Sequence, residues 1–397
     1  MILFDATVIL LAIAGALLFV PVVVLFIEVV ASFGKVRTEN APSSRPRIAV
    51  LVPAHDEALT IGATIASIIP ELAAGDRLLV VADNCTDDTA VIARAAGADV
   101  IERSDPVRRG KGFALDFGVR HLAGDAPDVV VIIDADCRPD VGCLARIAAL
   151  AAATGRPVQA HYDLLPPKGV QSLYLSMATF AWRVKNYARP LGARRLGLSC
   201  QLMGTGMAFP WPLLSGYNLA TSEIVEDLVY GLELARAGHP PLFCPQAQVM
   251  SEFPMVVEGQ QTQRTRWESG HLSTIAGYIP GLLMDALRRG DWVLLALALD
   301  AAVPPVAFLA LLVAAYTLLA LLAAILGGGL TVLGLAFAIA LLFAGALLLA
   351  WWRVGRDVVS ISELMLAPGY ILSKIGLYGR VLIGRKVGWV RSKRDTH

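Results

Sequence analysis

Charge and cysteine are both scarce in this 397-residue chain, and each shortage removes a class of protein from consideration. Only 17% of the residues are charged, and 34 basic residues face 33 acidic ones, so a polyanion-coating role has no electrostatic basis and no nucleic-acid partner is expected. The five cysteines, Cys85, Cys137, Cys143, Cys200 and Cys244, are scattered, odd in number and form no CxxC pair. That pattern argues against a disulfide frame or a zinc site and fits a reducing compartment. Neither an internal repeat nor a low-complexity segment is evident beyond enrichment in Ala and Leu.

Apolar residues, in contrast, are abundant. They make up 56% of the chain, and the mean hydropathy of +0.62 is too high for a wholly soluble protein. Ala6 to Phe33 is nearly all apolar, broken only by Pro21 and Glu28. At ~1.5 Å per residue, roughly 20 such residues cross a bilayer, which predicts a transmembrane helix within residues 1–34. A cleaved signal peptide fits less well, because the stretch is long, lacks a basic start and has no persuasive small-x-small site. Lys35, Arg37 and Arg45 follow, and the positive-inside rule then puts the next segment in the cytoplasm.

Trp292 to Ile325 and Leu330 to Trp352 are two further apolar stretches, separated by Gly327-Gly328-Gly329. They predict a transmembrane hairpin over 292–352, in which Pro304-Pro305 either kinks the first helix or marks its true start. Residues 271–291 read as an interfacial helix ahead of it. Behind it, 353–397 reads as an interfacial helix, with Ile361 to Ile383 lying along the surface, and a basic cytoplasmic tail of Arg380, Arg385, Lys386, Arg391, Lys393 and Arg394. The expected location is the inner (plasma) membrane, multi-pass, in contact with membrane lipids.

Residues 46–270 form the body between these segments. The apolar runs Ile48 to Val52, Leu78 to Ala82 and Val129 to Ile133 each end in polar, acidic residues, and helix-like stretches follow the first two. This is the βαβ rhythm of an α/β parallel sheet, whose ligands bind beyond the carboxyl ends of the strands. Asp134-Ala135-Asp136 is a DxD arrangement, in which two carboxylates just past a strand can hold Mg²⁺ or Mn²⁺ against a diphosphate. Helix capping is the bland alternative for such a pair. Val52-Pro53-Ala54-His55-Asp56-Glu57 and Asp83-Asn84-Cys85-Thr86-Asp87-Asp88 offer strand-end acceptors for a base and ribose, and Gly110-Lys111-Gly112 offers a cation for phosphate. Glu226-Asp227 opens an expected helix over Leu228 to Ala237, where capping again competes with a functional role. Gln263-Arg264-Thr265-Arg266-Trp267 sets cations, an amide and an aromatic together, suited to a saccharide or a diphosphate. Between Gln159 and Gln201, Tyr162, Trp182, Lys185, Tyr187, Arg189, Arg194 and Arg195 stand among apolar residues. That stretch either packs on the core or meets lipid.

Taken in order, these motifs resemble the family-2 glycosyltransferases, the group that includes cellulose, chitin and hyaluronan synthases and many exopolysaccharide enzymes. The resemblance covers 46–270, and the flanking spans are similar to those of membrane-bound members. It implies a GT-A catalytic domain, a Rossmann-like nucleotide-binding sheet, accompanied here by α-helical transmembrane segments. It also implies that Pro53, His55 and Glu57 border the nucleotide, Asp83 contacts uracil, Lys111 lies near the nucleotide, and Asp134 and Asp136 bind nucleotide and metal. Gly204-Thr205-Gly206 and Glu226 would line the acceptor or donor sugar, and Asp227 would be the catalytic base. Gln263, Arg266 and Trp267 match a Gln-x-x-Arg-Trp motif, with Arg266 on the diphosphate and Trp267 under the acceptor. Two departures, Asp56 in place of Asn and Val225 in place of Thr, leave the charged groups intact.

The implied reaction is an inverting, metal-dependent transfer from a nucleotide-sugar donor, a UDP-sugar above all, to a lipid-linked polyprenyl diphosphate saccharide acceptor in surface polysaccharide biosynthesis. A processive synthase that exports its polymer is the alternative, and a non-catalytic transporter or scaffold the third reading. Because Glu28 and Asp300 are almost the only charges in the spans, a solute path has little to run on.

Overall fold

Each apolar run of the central body becomes a strand, and each long apolar stretch outside it becomes a helix. The computed structural model describes residues 2–35, 45–170, 172–221, 225–327 and 330–382. Arg37 and the tail residues Arg385, Lys386, Arg391, Lys393 and Arg394 lie outside them. In chain order the elements begin α1 (Ile2–Ala31), β1 (Ile48–Ala54), α2 (Ile61–Ile68), β2 (Arg77–Asp83), α3 (Thr89–Ala95), β3 (Asp99–Arg103) and α4 (Lys111–Leu122). There follow β4 (Val129–Ile132), β5 (Arg138–Pro139), α5 (Cys143–Thr154), β6 (Val158–Leu165), α6 (Leu173–Arg183), α7 (Arg189–Arg195), β7 (Met207–Pro210), α8 (Trp211–Ser215) and α9 (Glu226–Arg236). Then come β8 (Leu242–Glu252), α10 (Val257–Gly277), α11 (Ile279–Arg289), α12 (Trp292–Ala301), α13 (Val306–Ile325), α14 (Leu330–Ala350) and three short helices between Ile361 and Leu382.

The chain divides into two compact units. One, comprising Arg37–Pro167, Leu198–Trp267 and Trp389–His397, is built on an eight-stranded sheet of order β3-β2-β1-β4-β7-β6-β8-β5. Strands β3, β2, β1 and β4 are parallel, and β7 reverses direction beside β4. Strands β1, β2 and β4 are buried almost throughout, as expected where helices cover both faces of parallel strands. Helix α2 buries Ile61, Thr64, Ile65 and Ile68, a stripe at i, i+3, i+4 and i+7. The core on one face joins Leu51, Leu79, Val81, Ile132 and Phe209 to Leu115, Val119 and Leu122 of α4. This mixed sheet with helices is the GT-A arrangement that the motifs imply.

The register of the parallel strands decides where their ends fall. Ala54 pairs with Ala82 and Leu51 with Ile132, so β1, β2 and β4 stop at one edge of the sheet. Strand β7 starts at that same edge, because Met207 pairs with Ile132 in the antiparallel sense. The loops holding His55, Asp83, Asp134 and Gly204 are thereby brought to a common rim.

The other unit comprises Met1–Val36, Lys168–Gly197 and Glu268–Gly388. Among its described residues three helices are long and apolar enough to cross a membrane, over Ala6–Ala31, Val306–Ile325 and Leu330–Gly355. Their contact faces merge Val22, Leu25 and Val29 with Val313, Tyr316, Ala320, Ile339 and Phe343, while Leu10, Leu17, Phe337 and Leu341 stay exposed. The apolar stretch from Trp292 to Ile325 is two helices, because Pro304-Pro305 interrupts it and α13 begins at Val306. Between Ile361 and Leu382 the chain forms short helical turns of four, six and eight residues.

The segment between Gln159 and Gln201 is shared out between the two units. Tyr162 lies in β6, buried and hydrogen bonded to Ser251 at 2.9 Å, whereas Trp182 through Arg195 belong to the helical unit. Arg189 is buried there, its Nε donating to Glu28 Oε2 at 2.7 Å and its Nη2 to Asp300 Oδ1 at 2.5 Å and to the Asp300 carbonyl at 2.6 Å. Both acids of the apolar stretches thus have a cation, which is how charge survives among helices of this composition.

Helix α7 approaches α1 so closely that a Cβ at Gly192 would lie 1.9 Å from the Glu28 carbonyl oxygen. Gly192→Ala is therefore expected to destabilise the helical unit by about 1–3 kcal/mol, since only backbone movement relieves the clash. Gly281→Ala, which meets open space, should not. Thermal unfolding of the two variants in detergent checks this, and equal midpoints would contradict it.

Candidate active site

Two loops first close the rim beyond β1 and β2. His55 Nδ1 lies 2.7 Å from the Asp83 carbonyl oxygen, the Glu57 amide donates to Thr89 Oγ1 at 2.7 Å, and the Ala58 amide to Asp87 Oδ2 at 3.1 Å. Pro53 is the penultimate residue of β1 and is half-buried. Asp56 adopts a left-handed conformation, with φ of +52°, and its Oδ1 accepts from the Thr86 amide at 2.6 Å. The Asp found where the resembled family has Asn thus caps the neighbouring loop. Asp83 is buried and held by Arg103, whose Nη1 donates to its Oδ1 at 2.6 Å, while Asn84 Nδ2 donates to the same oxygen at 2.9 Å.

The second cluster gathers four separate stretches of chain. Lys111, the first residue of α4, forms an ion pair with Asp134 and donates from Nζ to the Gly204 carbonyl at 2.7 Å. A Cβ on Gly204 would lie 3.3 Å from Asp227 Oδ2 and 3.5 Å from Lys111 Nζ, and the φ of +89° there suits glycine alone. Gly112 likewise lets α4 approach closely, because a Cβ there would sit 2.6 Å from the Leu219 carbonyl oxygen. Thr205 Oγ1 accepts from the Asp134 amide at 3.0 Å. Asp227 and Glu226 form the first turn of α9, where the helix dipole favours negative charge. Lys111, Asp134, Gly204, Thr205 and Asp227 therefore share one place, and Gly206 follows directly into β7.

Crowding of like charge shows in the proton affinities. Burial alone would depress the Lys111 ammonium, but Asp134, Glu226 and Asp227 outweigh it and hold the group above the usual lysine range. The Asp134 carboxyl is raised by burial, drawn down by Lys111, and raised again by Asp136 and Asp227, ending above its ordinary value. Glu226 is pushed up to about 7, by burial first and by Asp227 second, with Lys111 opposing. Asp136, Asp134 and Cys137 bring one ligand atom each within 4.8 Å of one another. The Cys137 thiol is held well above its usual range by burial and by the adjacent Asp136 and Asp134, so it stays protonated and donates to Asp136 Oδ1 at 3.1 Å. What remains is a pair of carboxylates, a hard oxygen donor set that fits Mg²⁺ or Mn²⁺.

Asp136 also lines a cavity of about 220 Å³ together with Thr60, Thr64, Arg138, Glu252 and Phe253. Helix α10 is tied to this wall: Gln260 Nε2 donates to the Pro254 carbonyl at 2.8 Å, and the Arg264 guanidinium carbon lies 6.0 Å from the Phe253 ring centroid. Gln263 on the same helix is buried, while Arg266 and Trp267 are half-buried.

Several positioning residues escaped the sequence reading. Gln159, fully buried in β6, donates to the Ala160 and Thr205 carbonyls at 2.8 Å each and accepts from the Met203 amide at 2.8 Å, fixing the loop ahead of β7. Thr64 Oγ1 donates to the Ala135 carbonyl at 2.9 Å, bracing the DxD turn, and Arg103 neutralises Asp83. A polar residue inside an apolar strand was the one available signal for Gln159. Thr64 and Arg103 had none, since their partners are remote in sequence.

Comparison with known proteins places this geometry in context. A family model described as "Glycosyltransferase like family 2" matches residues 46–270, more than half of the chain. Glucosyl-3-phosphoglycerate synthase of Mycolicibacterium paratuberculosis is 46% identical over 96 residues, which is 22% of this chain and 28% of that protein. An uncharacterized glycosyltransferase of Mycobacterium bovis is 39% identical over 102 residues, 26% of this chain and 42% of that one. The chain thus spans well under half the length of these curated relatives. Among solved structures, the mannosyltransferase PcManGT of Pyrobaculum calidifontis, determined with GDP-Man and Mn²⁺, superposes with a TM-score of 0.59 at 19% identity, covering 96% of this chain and 100% of that one. The match to the family model, over the same residues that carry the acidic strand edge, makes this chain a member of glycosyltransferase family 2.

Proposed function

We propose that this protein is an inverting, metal-dependent glycosyltransferase that moves a sugar from a nucleoside diphosphate donor to a lipid-linked saccharide at the cytoplasmic face of the inner membrane. The observation that carries the reading is the meeting of Asp134, Lys111 and Asp227 around Gly204 at one sheet edge. Family membership supports it, as do the nucleotide-sugar and Mn²⁺ held by the solved mannosyltransferase. Residues 46–270 would be the catalytic body, 1–34 and 292–352 the membrane segments, and 271–291 and 353–397 interfacial. Lys35, directly behind α1, supports the cytoplasmic placement. Three membrane-length helices among the described residues supply few walls for a polymer channel, which favours single addition over processive export.

An acceptor hydroxyl is a poor nucleophile until its proton has somewhere to go. Asp227 takes that proton as the hydroxyl oxygen attacks the anomeric carbon, and the bond from that carbon to the donor diphosphate breaks. One displacement inverts the centre, so an α-linked donor yields a β-linked product. Asp134 and Asp136 would hold the divalent cation, which supplies positive charge to the departing diphosphate. Arg266 adds charge there, and Lys111 keeps Asp134 ionised and in place. Asp83, with His55, Glu57 and Pro53 around it, receives the base and ribose, and an Asp acceptor suits the N–H of uracil. Thr205, Gly206, Glu226, Gln263 and Trp267 line the acceptor side.

Asp227→Asn is expected to leave donor affinity within about threefold while transfer falls by roughly 10²–10⁴-fold. Calorimetric titration with UDP-sugars and nucleotide diphosphate release against a UDP-, GDP- and dTDP-sugar panel measure the two quantities, and near-normal turnover would refute the role. Gly204→Ala, with its Cβ against Asp227 and its φ of +89°, should lower turnover by at least about tenfold without unfolding the protein. A fully active Gly204→Ala would mean that this loop does not set the geometry of the site.

A further inference from the structure

The helical unit carries a concentration of positive charge that sugar transfer does not use. Arg195 closes α7, and Arg353 sits in the turn Trp351–Gly355 that ends α14. Both converge on the C-terminal end of α1. Arg353 donates from Nε to the Ser32 carbonyl at 3.2 Å, and its guanidinium carbon lies 5.8 Å from the Phe33 ring centroid. The stem of Arg195 passes the same place, since a Cβ on Gly34 would lie 3.6 Å from its Cδ. The two cations are near enough that, after burial, repulsion from Arg353 is the next cause holding the Arg195 guanidinium below its usual range.

Neutralising the carbonyl end of α1 accounts for the Arg353 bond to Ser32. It does not account for Arg195, whose Nε and Nη1 are buried with no hydrogen-bond partner among the described residues. An unsatisfied buried donor typically costs about 1–3 kcal/mol, and more when charged, so a structural role alone leaves an unmet demand. Neither arginine is ion-paired to a carboxylate among the described residues, in contrast to Arg183, which pairs with Asp357 at 2.7 Å, and Arg189, which pairs with Glu28 and Asp300. Two guanidinium groups that meet the same helix end, with neither paired to an acid among the described residues, are suited to an anion with several acceptor oxygens, as a phosphate is.

The setting narrows the source of that phosphate. The site lies where two membrane-length helices end, beside Phe33 and beside Trp352, on whose ring Arg356 stacks at 4.1 Å. Aromatic and basic side chains mixed in this way mark the headgroup level of a bilayer. We propose that Arg195 and Arg353 bind the phosphate group of a membrane lipid. The proposal rests on α1 and α14 crossing a bilayer and is independent of the transfer chemistry.

Native mass spectrometry of the full chain in detergent, titrated with phosphatidylglycerol, polyprenyl phosphate, diacylglycerol or inorganic phosphate, tests it. Wild type should retain one or both phosphate-bearing lipids and not diacylglycerol, and whichever lipid binds more tightly identifies the source. Arg195→Gln combined with Arg353→Gln should weaken retention at least tenfold, and Arg120→Gln, at an exposed cation of α4 paired with Asp116, should leave it unchanged. Should the double variant fail to fold, Arg195→Gln alone carries the test, because its guanidinium makes no hydrogen bond through Nε or Nη1. Retention unaffected by these substitutions, or inorganic phosphate competing as well as the lipids, would overturn the assignment. A wild type that transfers sugar but binds none of the lipids would overturn it and leave the transferase reading standing. One that binds them and transfers no sugar would do the reverse.

Discussion

The ion pair between Lys111 and Asp134 is what allows acidic side chains to accumulate at the sheet edge. Asp134, Asp136, Glu226 and Asp227 come from two distant stretches of chain, and carboxylates brought so close repel one another and resist desolvation. Lys111 reaches in from a third stretch and meets both Asp134 and the Gly204 carbonyl, so the cation that offsets the repulsion also pins the loop beside Asp227. Asp134 and Glu226 keep raised proton affinities, by burial first and by neighbouring carboxylates after it. A site left short of positive charge is predisposed to take up a divalent cation together with an anionic diphosphate.

Strand geometry is the constraint beneath that interaction. Parallel register carries β1, β2 and β4 to a common edge, and the reversal at β7 returns the Gly204 loop to it. Neither would suffice alone, because a parallel sheet without β7 would lack the backbone carbonyl that Lys111 grips. Gln159, buried in β6, fixes that loop by donating to the Thr205 carbonyl and accepting from the Met203 amide. In the helical unit an analogous economy of charge holds, with Arg189 shared between Glu28 on α1 and Asp300 on α12.

How legible this was in the sequence depended on distance along the chain. The β-branched runs ending in acids announced the strands and their functional edge, because a strand and the residue that follows it are local facts. The membrane-length helices were equally plain from apolar length, although Pro304-Pro305 trimmed one of them to Val306–Ile325. Pairings were not legible. Arg103 with Asp83, Thr64 with Ala135, and Arg189 with Glu28 link positions whose proximity only the folded topology creates. Gly110-Lys111-Gly112 was legible only as a cation for phosphate, whereas the space Gly112 leaves admits the Leu219 carbonyl, a packing demand no local pattern reveals.

On this reading the two DxD carboxylates, Lys111 and Asp227 make one cation-dependent donor site. Electron paramagnetic resonance of Mn²⁺ titrated with the full chain, with and without UDP, reads it directly. UDP should strengthen Mn²⁺ uptake by wild type, Asp136→Ala should abolish this, and Asp227→Asn should preserve it. Mn²⁺ uptake that ignores both UDP and the Asp136 substitution would contradict the account at its base.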